Sequence, residues 1–415
     1  MREHRIKQIT KAITYDTRIS IALMSSFVVL TLQYFILLFF NLSDTKNGSI
    51  VQLISKGIVG VLFIYAIPIV LKKNKITFLL TYFIAIFIFL LNFFLFPENN
   101  FYLSKLIFPF FFTCLPAFLY SISIDNLFVF KEIMKKSSVI IFIIGTLIGL
   151  MVFTGNVSIG YYSMTLSYYL LFPLIMFLDE FFEKTSFKSI TVILESASII
   201  LALGSRGPIL CAIIFVIMKM VKEFTKLNKR TIILYVILLD IAILVLLFLK
   251  KILLYLYNLL LTFGINSRSL LLFLGENINL SGRDAIYKNV WAETMKNPYL
   301  GIGLGGDRRV NGEIALYAHN FFIEIFADFG IFIGSIISIV LMLVILKSLI
   351  GNNKEQNNMC AIWLSLGFVH LMVSGSYIID MKFWIFLGIL FRNIMCKTKH
   401  QNTITVIREN IGNEI

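Results

Sequence analysis

The residues of this chain best suited to chemistry lie between positions 281 and 328. His319 stands beside Asn320, and Asn320, Glu324 and Asp328 recur every fourth residue, so on a helix they form one polar stripe. A histidine, whose ordinary pKa lies near neutrality, suits general acid/base work at the head of such a stripe. The stripe reads equally as hydrogen bonding to neighbouring helices. Upstream, Ser281-Gly282-Arg283-Asp284 has the spacing of a capping box, and Ile286, Val290, Trp291 and Met295 follow at helical intervals until Asn297-Pro298 ends the run. Arg283 then falls in the first helical turn, where unpaired N–H groups and the helix dipole favour an anion. That is a phosphate or pyrophosphate clamp, or else a solvated loop arginine.

Gly301-Ile302-Gly303-Leu304-Gly305-Gly306 satisfies the GxGxxG dinucleotide fingerprint, but neither the preceding strand nor the following helix of a βαβ unit is expected here. The glycines are therefore expected to make a tight turn that lets backbone approach something closely. Arg308 and Arg309 follow and are candidates for the same anion, or plain loop charge. Arg206 sits at the tip of Gly204-Ser205-Arg206-Gly207. Lys56 and His370 lie about two turns inside apolar runs from their expected outer ends, from which each either reaches a polar cavity, snorkels or bonds a neighbour. Glu195 and Asp240, deeper in apolar runs, read as structural. No DxD pair, HExxH, GxSxG or Walker loop occurs, so the expectation is no metal and no cofactor.

The elements that position these residues are membrane helices. Of 415 residues, 58% are hydrophobic and only 14% charged, against about a quarter charged in soluble domains. This excludes soluble and disordered classes and sets the fold class as an all-α polytopic membrane protein. Apolar runs near 20 residues give about twelve spans. Most of the 37 Lys and Arg, including Lys72, Lys73, Lys75 and the stretch from Lys219 to Arg230, fall in alternate loops and both tails. The short loops between hold only Lys46, Lys105, Arg206 and Lys382. By the positive-inside rule both termini are cytoplasmic, and the net charge of +14 is mostly topogenic. Nucleic acid is not an expected partner. Cys114, Cys211, Cys360 and Cys396, in or at the ends of apolar runs without metal spacing, read as core residues.

The expected layout is a cytoplasmic tail over 1–18, spans 1–9 over 19–249, an extracytoplasmic loop over 250–318, spans 10–12 over 319–395 and a cytoplasmic tail over 396–415. The loop begins with apolar stretches, Ile252 to Leu261 and Leu270 to Leu274, too short to cross and suited to the interface. The pairs Gly145/Gly149 and Gly330/Gly334 are GxxxG helix-packing signals.

Ser281-Gly-Arg-Asp through Trp291, then Asn297-Pro-Tyr-Leu-Gly-Ile-Gly-Leu-Gly-Gly, then His319-Asn320 through Asp328-Phe-Gly330, together with Gly204-Ser-Arg-Gly207, resemble the O-antigen ligase and Wzy-type polymerase superfamily. The resemblance spans roughly a quarter of the chain, in order and on the expected outer side. It implies a bacterial cytoplasmic-membrane glycosyltransferase that moves glycan from an undecaprenyl-pyrophosphate-linked oligosaccharide donor to a glycan acceptor, with inversion and without metal. It further implies that Arg206 and Arg283 bind the pyrophosphate and that His319 is the essential histidine. Asn320, Glu324, Arg308, Arg309, Lys56 and His370 are the accompanying substrate-binding candidates. Membrane lipid, a chain-length regulator and a flippase of the same pathway are the candidate partners.

Polymerases and ligases share this pattern and differ in acceptor: a lipid-linked glycan for the polymerase, a lipid A core or a protein for the ligase. The repeat-unit polymerase, of O-antigen or capsule, is the first expectation, on the prevalence of such enzymes rather than on a residue, and the ligase is the alternative. A lipid-linked oligosaccharide flippase fits the span count but not the layout, since the long loop is outside and the two halves show no repeat.

Overall fold

The computed structural model describes residues 2–42, 45–154, 164–203, 206–224, 251, 253–262, 264, 270–271, 274, 283–312, 317–351 and 353–395. The expectations placed on Gly204, Ser205, the ninth span, Asp240, Ser281, Gly282 and Cys396 lie outside the described residues.

In lipid, backbone polar groups have no water to bond, and helices satisfy them internally. Every regular element among the described residues is helical. In chain order these are α1 (Arg2–Phe39), α2 (Lys46–Leu95), α3 (Pro97–Ile122), α4 (Leu127–Phe153), α5 (Met164–Glu183), α6 (Phe187–Leu203) and α7 (Arg206–Phe224). Then come α8 (Leu253–Thr262), α9 (Arg283–Thr294), α10 (Gly306–Asn311) and α11 (Phe321–Leu349). The last two are α12, which runs from Lys354–Trp363 through a π-helical stretch Leu364–Val369 to His370–Val373, and α13, over residues 381–395.

Six described helices are long and apolar enough to cross a membrane: α1 from Ile13 onward, α2, α3, α4, α5 and α11. A straight helix of 50 residues would reach about 75 Å, more than twice a hydrocarbon core of about 30 Å. Helical geometry in α2 is lost at Asn74 (φ −141°, ψ 46°), inside the Lys72-Lys73-Asn74-Lys75 cluster where the sequence sets a loop between spans 2 and 3. The expected interfacial segment forms α8, which buries Leu253 and exposes Leu254, Tyr255, Leu259 and Leu261.

The chain divides into two compact units, residues 1–23, 63–131 and 285–415, and residues 24–62 and 132–284. In the second unit Ile148, Leu166, Leu170, Leu174, Ile199 and Ile200 form the core. Gly145 and Gly149 give the close approach that GxxxG signals. A Cβ at Gly145 would lie 2.5 Å from Leu170 Cδ2, and one at Gly149 would lie 3.0 Å from Ile199 Cδ1. Buried Asp179 pairs with Lys219, and Lys135 with Glu180 at 2.9 Å.

The polar contacts of the first unit fall into two groups. Lys73 pairs with Asp16 (2.6 Å) and Asp125 (2.8 Å), and Arg392 donates to the carbonyls of Ile124 and Asp125. In the other group, Asn92 and Asn99 bond the 302–309 segment, which in turn bonds Ala318 and Ser376. The first group joins segments that the charge count assigns to one face of the membrane; the second joins segments assigned to the other.

Candidate functional site

The glycine turn makes its close approach to a helix of the protein itself. Gly301, Gly303 and Gly305 all have positive φ, of 70°, 75° and 76°. Helix α11 is interrupted at Gly330 (φ 77°, ψ 167°), and the turn takes up the backbone groups that the interruption frees. The Ile302 N–H donates to the Ala327 carbonyl (2.7 Å), and the Ile331 N–H donates to the Pro298 carbonyl (2.8 Å). In an unbroken helix Ile331 would bond Ala327; here the loop is spliced between the two. A Cβ at Gly301 would sit 2.3 Å from the Ala327 oxygen, and one at Gly330 would sit 2.4 Å from the Tyr299 oxygen, so neither position admits a side chain without movement. This corrects the reading of Gly330 as half of a helix-packing pair, since its role is to break α11. Val290 of α9, Ile302 and Ala327 close the small core beneath the turn. Trp291 and Met295, expected with the apolar set, are exposed, and Thr294 is buried in their stead.

The splice leads directly into the short helix α10, which corrects the expectation that no helix follows the glycines, and α10 carries the centre of a buried polar network. Asp307 accepts from the Ala318 N–H through Oδ2 (2.9 Å) and from Arg308 Nη1 through Oδ1 (2.9 Å). Arg308 Nη2 donates to Ser376 Oγ (2.7 Å), and Nη1 lies 3.5 Å from Glu324 Oε1. Ser376 donates to Glu324, which also accepts the Tyr377 N–H (3.1 Å), and the Tyr377 hydroxyl donates to Asp328 (2.7 Å). Burial works against the Arg308 charge, yet the carboxylates of Asp307, Glu324 and Asp328 raise its pKa above the ordinary arginine value. The polar stripe on α11 therefore faces the chain between α12 and α13. Arg308, expected as a free cation for an anion, has its guanidinium inside the protein among carboxylates. Arg309 differs: it is half-buried, and its Nε bond to Asn99 Oδ1 (2.8 Å) is the side-chain hydrogen bond it makes among the described residues.

His319 lies between two fixed points. Its predecessor Ala318 is held by Asp307, and its successor Asn320 is the N-cap of α11, accepting from Phe322 N (3.0 Å) and Ile323 N (3.3 Å). His319 itself has φ 58°, a left-handed conformation that non-glycine residues adopt at a cost of about 1–2 kcal/mol. It is half-buried, with its ring 4.2 Å from that of Tyr317. His370, in contrast, is 6% exposed, and its Nδ1 lies 2.9 Å from Asp380 Oδ2. Asp380 also accepts the backbone N–H groups of Lys382 (2.8 Å) and Phe383 (3.3 Å) at the start of α13.

His319, Asn320, Glu324, Arg308, Arg309 and His370 all belong to the first unit, where Arg308 and Glu324 share the network and His370 pairs with Asp380 instead. Arg206, Lys56 and Arg283 belong to the second unit. Arg206 and Arg283 are half-buried, and each is the first described residue of its helix, α7 and α9. Lys56 is exposed on α2 beside exposed Leu53, Ile54 and Ile58. The sequence reading missed Asp307, Ser376, Tyr377, Asn99 and Asp380. Asp307 had a signal in standing directly before two arginines; Asp380 has its partners His370, Lys382 and Phe383 within ten residues, and Ser376, Tyr377 and Asn99 are single polar residues whose partners lie far away in sequence.

Comparison with known proteins agrees with the resemblance drawn from the motifs. Residues 191–338 match the Wzy_C family model, described as O-antigen ligase. The match takes in Arg206, Arg283, Arg308, Arg309, His319, Asn320 and Glu324 and leaves out Lys56 and His370. No curated protein and no solved structure matches the chain. In general terms, the family match and the apolar helices support a multi-pass membrane protein acting in glycan ligation or polymerisation.

Proposed function

We propose that the protein is a repeat-unit polymerase that extends a lipid-linked glycan on the outer side of the bacterial cytoplasmic membrane, with both termini cytoplasmic. The donor is an undecaprenyl-pyrophosphate-linked oligosaccharide. The acceptor hydroxyl attacks the anomeric carbon of the donor's first sugar with inversion. The new carbon–oxygen bond forms as the bond to pyrophosphate breaks, the electron pair leaves on undecaprenyl pyrophosphate, and the hydroxyl proton passes to His319. Arg206 and Arg283 hold the pyrophosphate through charge-assisted hydrogen bonds that strengthen as its charge grows. Arg309 offers its remaining guanidinium donors to the same substrate. Arg308, Asn320 and Glu324 hold the site in shape, and Lys56 and His370 stand apart from the chemistry.

The observation that carries this reading is the setting of His319: half-buried, left-handed, fixed on both sides, and inside the segment that matches the O-antigen ligase family. The description of that family favours the second reading, transfer of a finished glycan to a lipid A core or a protein.

The test is reconstitution in liposomes with undecaprenyl-pyrophosphate-linked oligosaccharide extracted from the native membranes. The polymerase yields a ladder of lengthening lipid-linked glycans that is lost in His319→Ala and Arg283→Ala. Movement of glycan as a single block, only when a lipid A core or protein acceptor is supplied, establishes the ligase. Glycan crossing the bilayer without any transfer overturns both in favour of a flippase.

A further inference from the structure

We infer that Asp307 is a positioning residue for the reaction, acting through His319. The inference rests on the assignment of His319 as the base. A left-handed histidine persists only where its surroundings over-determine it. On the C-terminal side that work is done by the Asn320 cap. On the N-terminal side the bond that holds the preceding residue is Ala318 N–H to Asp307 Oδ2, at 2.9 Å.

Asp307 is fully buried and sits in α10, directly after the glycine splice. Its two oxygens point two ways: Oδ2 takes the Ala318 N–H, and Oδ1 takes Arg308 Nη1. Arg308 is in turn tied to Ser376, and Ser376 to Glu324 one turn into α11. The carboxylate therefore ties the residue before His319, through Arg308 and Ser376, to the same helix that carries Asn320, and the histidine is held on both sides by one connected set of hydrogen bonds. Neither an amide nor a hydroxyl supplies two acceptors in these directions. Asp307 touches neither substrate nor reacting atoms in this account; it sets where the imidazole points.

The test is a double-substitution cycle on the full-length protein in liposomes, with the extracted undecaprenyl-pyrophosphate-linked oligosaccharide as donor. Imidazole is added to restore a measurable rate to His319→Ala. Asp307→Ala alone lowers kcat by roughly 10- to 100-fold and leaves the KM for donor within about twofold, as expected for a misplaced base. Asp307→Asn, which keeps one oxygen for the Ala318 N–H, falls between Asp307→Ala and wild type. In the His319→Ala background Asp307→Ala makes no further difference, in the presence or absence of imidazole. Where Asp307→Ala does not elute as a folded species in detergent, Asp307→Asn carries the same cycle. Losses that multiply in the His319→Ala background, or a loss confined to KM, overturn the inference while leaving His319 as the base. Full activity of His319→Ala overturns the base assignment, whatever Asp307 does.

Discussion

His370 and His319 both belong to the first unit, and they differ in burial and in backbone conformation. His370 is sealed in, pointing at Asp380 on the residue that caps α13. His319 is half-buried and strained in backbone, and hydrogen bonds hold the residues on either side of it. A buried imidazole paired to a carboxylate contributes to holding helices together. An accessible one, held at a cost on a rigid shelf, is the pattern of a functional group, because strain of this kind concentrates at working sites. Burial and backbone, more than residue type, separate the two roles.

The largest expected effect follows from this contrast. His319→Ala lowers turnover by about 10²–10⁴-fold, the usual range for a general base, with little change in thermal stability. Next comes Arg308→Met, which removes the cation from among Asp307, Glu324 and Asp328. Leaving buried carboxylates uncompensated costs on the order of 3–5 kcal/mol, read as a fall in thermal midpoint in detergent. His370→Ala, which strips Asp380 of a partner, costs about 1–3 kcal/mol of stability while affecting turnover of the folded enzyme far less than His319→Ala does. A turnover loss equal to that of His319→Ala would erase the distinction between the two regions. Of similar size is Gly330→Ala, at about 1–3 kcal/mol for the positive φ alone, with the clash of a Cβ against the Tyr299 carbonyl in addition. Its readout is again the thermal midpoint, and an unchanged value would mean that the splice of the glycine turn into α11 is dispensable.

Much of the architecture was legible because lipid imposes a simple code. Runs of apolar residues and the alternation of lysine and arginine separate two sets of loops, and the structure groups Lys73, Asp16, Asp125 and Arg392 apart from Asn99, Arg308, Ala318 and Ser376 accordingly. Local signals also carried: the tight glycine turn, the helix that ends before Asn297-Pro298 and the polar stripe at Asn320, Glu324 and Asp328 are all features of short range. What the sequence hid is the pairing. Nothing in the spacing of Gly301 and Gly330 says that one enters the helix broken by the other, because the contact joins segments whose register is set by packing. The same holds for Arg308, which looks like a loop cation until Ser376 and Tyr377, some seventy residues later, are folded against its carboxylates.

The most direct test of the central claim is glycan transfer by His319→Ala and His370→Ala side by side, in liposomes, per folded molecule, with and without added imidazole. With His319 as the base, His319→Ala loses transfer and is partly restored by imidazole, while His370→Ala transfers glycan without it. Activity in His319→Ala equal to wild type, or imidazole-dependent loss and recovery in His370→Ala instead, would contradict it.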